Sequence, residues 1–236
     1  MPSLSSAAWT SVGKKVLTGL TGLFLSLFVL VHLVGNLAYF NSDPNAINQY
    51  AHFLHSLGAL FYIAEIGLLV SIVLHIILGI VIYIRRKRLR PVDYAVSSTK
   101  GGPSKKTFSS KTMIWTGIVI GIFIVIHLQT FKWGPGVDEG YVATEAGREV
   151  MVDGQPLKDV HGRITDVFKN EAYVIGYISV MILLGFHLRH GVWSAFQSLG
   201  ANNPKLSPVL YTIGGIFAVL IALGFILLPV YVYFFV

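Results

Sequence analysis

A chain of 236 residues in which 54% are hydrophobic, 13% aromatic and only 12% charged is too apolar for an ordinary soluble domain, because its apolar runs outlast any core helix. It contains no cysteine, which excludes disulfides, iron–sulfur ligation by this chain, thiol catalysis and thiolate zinc sites, and leaves histidine as the only strong metal ligand present in quantity. The formal charge of +7 comes from basic residues beside apolar segments, where they act as topology signals, and it gives nucleic-acid binding little support.

Crossing a hydrocarbon core takes about 20 helical residues at ~1.5 Å each. Five segments are long enough: 16–40, 59–84, 112–131, 172–196 and 208–235. The expected fold is therefore an all-α integral membrane protein, a single transmembrane domain over residues 1–236. The first span follows Lys14 and Lys15, but it is too long for a signal peptide and no small-x-small cleavage site follows it, so it is read as retained. Arg85, Arg86, Lys87, Arg88 and Arg90 follow the second span, and Lys100, Lys105, Lys106 and Lys111 complete that connector, which also holds Pro91, Gly101, Gly102 and Pro103. Lysine and arginine mark the cytoplasmic side, so the N-terminus is expected inside and the C-terminus outside. The loop after the first span carries Asp43 and no Lys or Arg, and segment 132–171 has eight acidic residues against five basic ones, so both are expected outside. Within the latter, Asp153 and Gly154 mark a candidate hairpin.

Each of the first four spans holds one key histidine: His32, His75, His127 and His187. His32 lies 17 residues beyond Lys15 and His127 lies 16 beyond Lys111, which places both about 25 Å from the cytoplasmic helix ends. His75 lies 10 residues before Arg85 and His187 lies 16 after Glu171, depths of roughly 15 Å from inside and ~24 Å from outside. Charge bias and helical rise thus pair His32 with His127 in the outer half and His75 with His187 in the inner half. A single intramembrane histidine is explained by an interhelical hydrogen bond or a proton route. Four at matched depths point instead to two bis-histidine metal centres, most naturally haems, stacked inside four bundled helices. The fifth span has no histidine and is expected to close the bundle. No repeat of fixed period stands out.

A haem needs flat space beside it, and glycine permits close backbone approach. Gly22 and Gly117 lie near the inner level, Gly67 and Gly176 near the outer one, so these four are candidate haem contacts, with helix packing an equal explanation for each. A haem-free transporter stays open as an alternative, although Glu65 is the one intramembrane acid it could use.

The segments LFVLVHLVGN, VLHIILGIVIY, IVIHLQTFKWG and GFHLRHGVWSAFQSLG resemble the membrane-anchor cytochrome b subunit of succinate:quinone oxidoreductases, the succinate dehydrogenases and fumarate reductases. The resemblance is to the five-helix, single-polypeptide version with two haems found in bacteria that use menaquinone, and it covers nearly the whole chain outside 132–171. Its most specific piece is H-x-x-x-G-x-W-S at His187, Gly191, Trp193 and Ser194. The resemblance implies two b haems, with outer iron ligands His32 and His127 and inner iron ligands His75 and His187. It favours His187 over His190 as ligand, leaving Arg189 and His190 as neighbours of the inner haem. Arg189, Lys14, Lys15 and Lys111 are candidate partners for anionic propionates. It further implies a bacterial cytoplasmic-membrane location, iron–sulfur and flavoprotein subunits on the cytoplasmic face, and no succinate site on this chain. For proton exchange at a quinone pocket the sequence offers His52, His55 and Glu65. A dihaem cytochrome b serving a fumarate reductase, hydrogenase or formate dehydrogenase is the alternative assignment.

Overall fold

The computed structural model describes residues 10–89, 107–201 and 203–236; the connector charges at Arg90, Lys100, Lys105 and Lys106 lie outside them. Along the chain run α1 (Ser11–Asn36), α2 (Ala46–Ser56), α3 (Ala59–Leu89), α4 (Phe108–His127), α5 (Val160–Phe168), α6 (Glu171–Ser198) and α7 (Leu206–Phe235). Helices α1, α3, α4, α6 and α7 are long and apolar enough to cross a membrane. Each extends beyond the apolar limit read from sequence at one end or both, while α1 and α4 end as α-helices at Asn36 and His127 and continue as the short turns Leu37–Phe40 and Leu128–Lys132; side-chain caps set the starts of α1 and α4. Thr10 accepts from the Gly13 N–H at 3.0 Å at the start of α1, and Thr107 and Ser110 form a reciprocal capping box on α4. Within the spans Thr18, Ser26, Ser71 and Ser179 donate to carbonyls four residues back on their own helices, which satisfies hydroxyls that lipid cannot.

Helix α1 packs on α3 and α6, α4 packs on α6, and α7 lies along α6, with thinner contact between α3 and α4. Four helices thus form a four-sided bundle in which α1 faces α4 and α3 faces α6 across the diagonals. Glycines set the approach where helices touch. A Cβ at Gly19 would stand 3.3 Å from the Ala195 carbonyl oxygen, one at Gly185 3.1 Å from Ala222 Cβ, and one at Gly224 2.6 Å from Leu33 Cδ2. Such close backbone packing substitutes for the hydrophobic force that is missing between helices in lipid. Helix α7 closes the outside of α6, where Ala218 and Ile221 are buried with Leu188.

The segment between α4 and α6 folds over one end of the bundle. A π turn over Leu128–Lys132, in which the Trp133 N–H reaches the Leu128 carbonyl at 2.9 Å, ends α4. Two small antiparallel hairpins follow, β1 (Thr144–Glu145) with β2 (Arg148–Glu149) and β3 (Met151–Val152) with β4 (Gln155–Pro156). The second turns at Asp153 and Gly154, both at positive φ, +52° and +77°, the pattern a two-residue hairpin turn demands. Its twin turns at Ala146 and Gly147, a pair whose alanine gives no sequence cue. Helix α5 then docks on α2: Asn48 Nδ2 donates to Asp159 Oδ1 at 3.2 Å and the His161 N–H donates to Asn48 Oδ1 at 2.9 Å. His161 stacks on Tyr39 at 4.3 Å; burial pushes its pKa below the ordinary 6.5 against a smaller upward pull from Asp159. Arg163 donates from Nε and Nη2 to the Thr130 carbonyl, each at 3.2 Å, tying the cap to the π turn. Buried Tyr39, Ile164, Phe168, Tyr177 and Val232 make the cap and the bundle end one apolar cluster.

Candidate metal centres

Across the α1–α4 diagonal the rings of His32 and His127 lie 5.8 Å apart between centres, at 83° to one another. Across the α3–α6 diagonal His75 and His187 lie 6.4 Å apart at 64°. The ring facing His75 is that of His187, not His190. Two imidazoles on opposite sides of one metal, with metal–nitrogen bonds of about 2.0–2.1 Å, hold their ring centres about 6.2–6.4 Å apart, whatever the twist between their planes. The inner pair stands at that separation, and the outer pair is within about half an ångström of it, a difference that a small χ adjustment covers. Among the described residues no three His, Asp or Glu side chains converge. Each pair thus offers a metal two imidazole nitrogens and, among the described residues, no third protein ligand.

Each histidine is seated by its surroundings. Thr21 Oγ1 lies 3.2 Å from His75 Nδ1, and Thr116 Oγ1 lies 3.1 Å from His187 Nδ1. His127 Nδ1 is 3.2 Å from the Tyr177 hydroxyl. Phe28 stacks on His32 at 5.5 Å, Phe123 on His127 at 5.6 Å, and Phe225 of α7 flanks His32 at 5.7 Å. Gly22 and Gly117 bear directly on the inner pair: a Cβ at Gly22 would stand 3.0 Å from His75 Cε1, and one at Gly117 3.3 Å from His187 Cε1. Their role here is to admit the imidazoles. Gly67 and Gly176 have no atom within 4 Å of a Cβ position, and Gly176 borders an apolar groove of about 380 Å³ between α4 and α6, beside Phe123 and Tyr177. Arg189 is turned to α7, where Nη2 donates to the Tyr211 hydroxyl at 3.2 Å.

Of the residues offered for proton exchange, His55 and Glu65 share a neighbourhood, since the Phe61 ring that His55 packs on also lies 5.8 Å from Lys132 Nζ, the partner of Glu65. His52 approaches Asp153 at 3.7 Å, His55 packs on Phe61 at 4.6 Å, and Glu65 pairs with Lys132 across the α3–α4 seam. Thr21, Thr116, Tyr177, Phe28 and Phe123 were missed in the sequence reading, though a signal for four of them is there. Segment 21–32, TGLFLSLFVLVH, and segment 116–127, TGIVIGIFIVIH, share one pattern, Thr-Gly-x5-Phe-x3-His. It escapes a search for regular periods because the copies sit on non-consecutive helices.

Compared with known proteins, the chain matches no family model, no curated protein and no solved structure. Fold and site together define a class: among the described residues, five helices of membrane-spanning length, with two facing histidine pairs across the diagonals of a four-helix bundle.

Proposed function

We propose that this chain is the dihaem cytochrome b anchor of a succinate:quinone oxidoreductase, passing electrons between a cytoplasmic iron–sulfur subunit and membrane quinone, with menaquinone as the quinone its sequence resemblance implies. The observation that carries the reading is the pairing of four histidines, one from each of four helices, at ring-centre separations of 5.8 and 6.4 Å. A haem held so would supply one-electron chemistry. His32 and His127 would hold the outer group, and His75 and His187 the inner one. Phe28, Phe123 and Phe225 shield the outer imidazoles from water, and the cap of α2, α5 and the hairpins covers that end. Lys14, Lys15 and Arg86 to Arg88 lie at the opposite end, the one assigned to the cytoplasm and to the flavoprotein and iron–sulfur subunits.

The test is to purify the chain from a bacterial cytoplasmic membrane in mild detergent with whatever remains attached. Two b haems per chain, a co-purifying flavoprotein and succinate-dependent dye reduction are expected. His75→Ala or His187→Ala should remove the inner haem preferentially, and His32→Ala or His127→Ala the outer. Loss in any other combination overturns the pairing. A nickel or molybdenum partner would move the chain to a hydrogenase or formate dehydrogenase, and a colourless pure protein would end the haem reading.

A further inference from the structure

The twelve-residue pattern shared by α1 and α4 does the same two tasks in each helix. Its Phe and His end supplies one outer imidazole with a ring stacked on it, and its Thr-Gly end meets an inner imidazole from the neighbouring helix. Thr and His are 11 residues apart in both copies, which at 100° per residue returns to within about 20° of the same helix face. One face therefore serves both levels.

We infer that Thr21 and Thr116 are positioning residues that fix which nitrogen the two inner histidines present to a metal, an inference that rests on the proposed haem sites. A threonine hydroxyl has a single proton. Thr21 Oγ1 commits it to its own helix, with the Leu17 carbonyl at 2.8 Å and the Thr18 carbonyl at 3.1 Å. Thr116 Oγ1 does the same toward the Met113 carbonyl at 3.0 Å and the Thr112 carbonyl at 3.2 Å. Toward the imidazole each oxygen is then an acceptor, so Nδ1 of His75 and of His187 carries the hydrogen. A neutral imidazole protonated on Nδ1 keeps its lone pair on Nε2, the nitrogen left for the metal. The adjacent glycines complete the seat by letting the Cε1 edge of each ring lie against the helix. The outer level is built otherwise, with Tyr177 on His127 and ring packing around His32. An Nδ1–H held by an acceptor makes imidazole a more basic ligand, which favours the oxidised metal.

The experiment compares the intact complex with Thr21→Val, Thr116→Val, the double variant and the two Thr→Ser variants, by redox titration and low-temperature EPR of the ferric state. Both valine variants should raise the midpoint potential of the inner haem and change its EPR signature, more so together. Serine should restore both, and the outer haem should not respond. Should valine cost the inner haem altogether, retention of that haem by the serine variant with wild-type signals supports the inference, and its loss there overturns it. Unchanged inner signals in the double valine variant, or an equal shift of the outer haem, overturn it as well. Wild-type protein without haem overturns the proposed function and this inference together; wild type with two haems and unresponsive threonine variants overturns this inference alone.

Discussion

Gly22 is the position where one methyl group does most damage to the inner pair. A Cβ there would stand 3.0 Å from His75 Cε1, and at Gly117 3.3 Å from His187 Cε1, against an ordinary carbon–carbon contact of about 3.5–4.0 Å. Gly22→Ala thus drives the His75 ring back by a few tenths of an ångström, a large part of the roughly 0.5 Å within which a ligand set works. Retreat also strains the 3.2 Å contact to Thr21. Disturbing the shell around metal ligands typically costs about 10–100-fold in affinity, so retention of the proposed inner haem should fall by roughly tenfold in Gly22→Ala and by less in Gly117→Ala. Gly215→Ala on α7, a position not offered as a haem contact, meets nothing within 4 Å and should leave both proposed haems in place. All three substitutions gain helix propensity, up to about 1 kcal/mol each, so a general loss of helix cannot mimic the pattern. Haem transfer to an excess of apo-myoglobin, followed by its absorption at the two levels, reads the series. Equal retention in Gly22→Ala and wild type, or equal damage from Gly215→Ala, would refute the reasoning.

Gly224→Ala would put a methyl group 2.6 Å from Leu33 Cδ2; overpacking of this kind costs about 1–3 kcal/mol. Thermal stability should drop there, while Gly215→Ala, which meets nothing within 4 Å, should match or exceed the wild type through its gain in helix propensity. His161 gives the cap a pH dependence. Its folded pKa lies below the ordinary 6.5, so the unfolded cap binds more protons in the window just below that value. Stability then rises with pH through the window, is complete above it and is lost as pH falls. Hydrogen exchange in α5, corrected for its intrinsic rate, should accelerate between about pH 7 and about pH 5, and His161→Gln should flatten that response.

The spans were legible because twenty or more apolar residues admit few other structures, and the diagonal partners were legible because basic flanks fix depth and helical rise converts residue count into distance. Helix ends were less so: caps such as Thr10 and Thr107 carry α1 and α4 into polar sequence that a hydropathy count excludes. Contacts between helices were opaque. Nothing in the sequence says that Gly22 touches His75 on a different span, since that depends on the rotation of each helix. Among the cap elements, only the Asp153–Gly154 turn carries its own chemistry in its residues. Helices α2 and α5 are short and amphipathic, and they are held by pairings such as Asn48 with Asp159 that join positions more than a hundred residues apart.

The spacing of the two levels carries an energetic consequence for the proposed electron route. Gly22 meets His75, and His32 lies ten residues farther along the same helix, so the levels are about 15 Å apart along α1. That is about half of a hydrocarbon core of ~30 Å. A full charge crossing the membrane exchanges about 2.3 kcal/mol per 100 mV; an electron moved between levels exchanges about half, close to 1.2 kcal/mol, or a sevenfold change in equilibrium. With the lysine-rich end of α1 inside, the orientation proposed from the charge bias, and the inside negative, outward transfer is the favoured direction. In sealed vesicles holding the complex in one orientation, a potassium diffusion potential stepped by about 100 mV should change the ratio of reduced inner to reduced outer haem by that factor. A ratio that ignores the step would place both haems at one depth in the field. A change of the opposite sign would invert the chain in the membrane and move the partner-binding face to the other side.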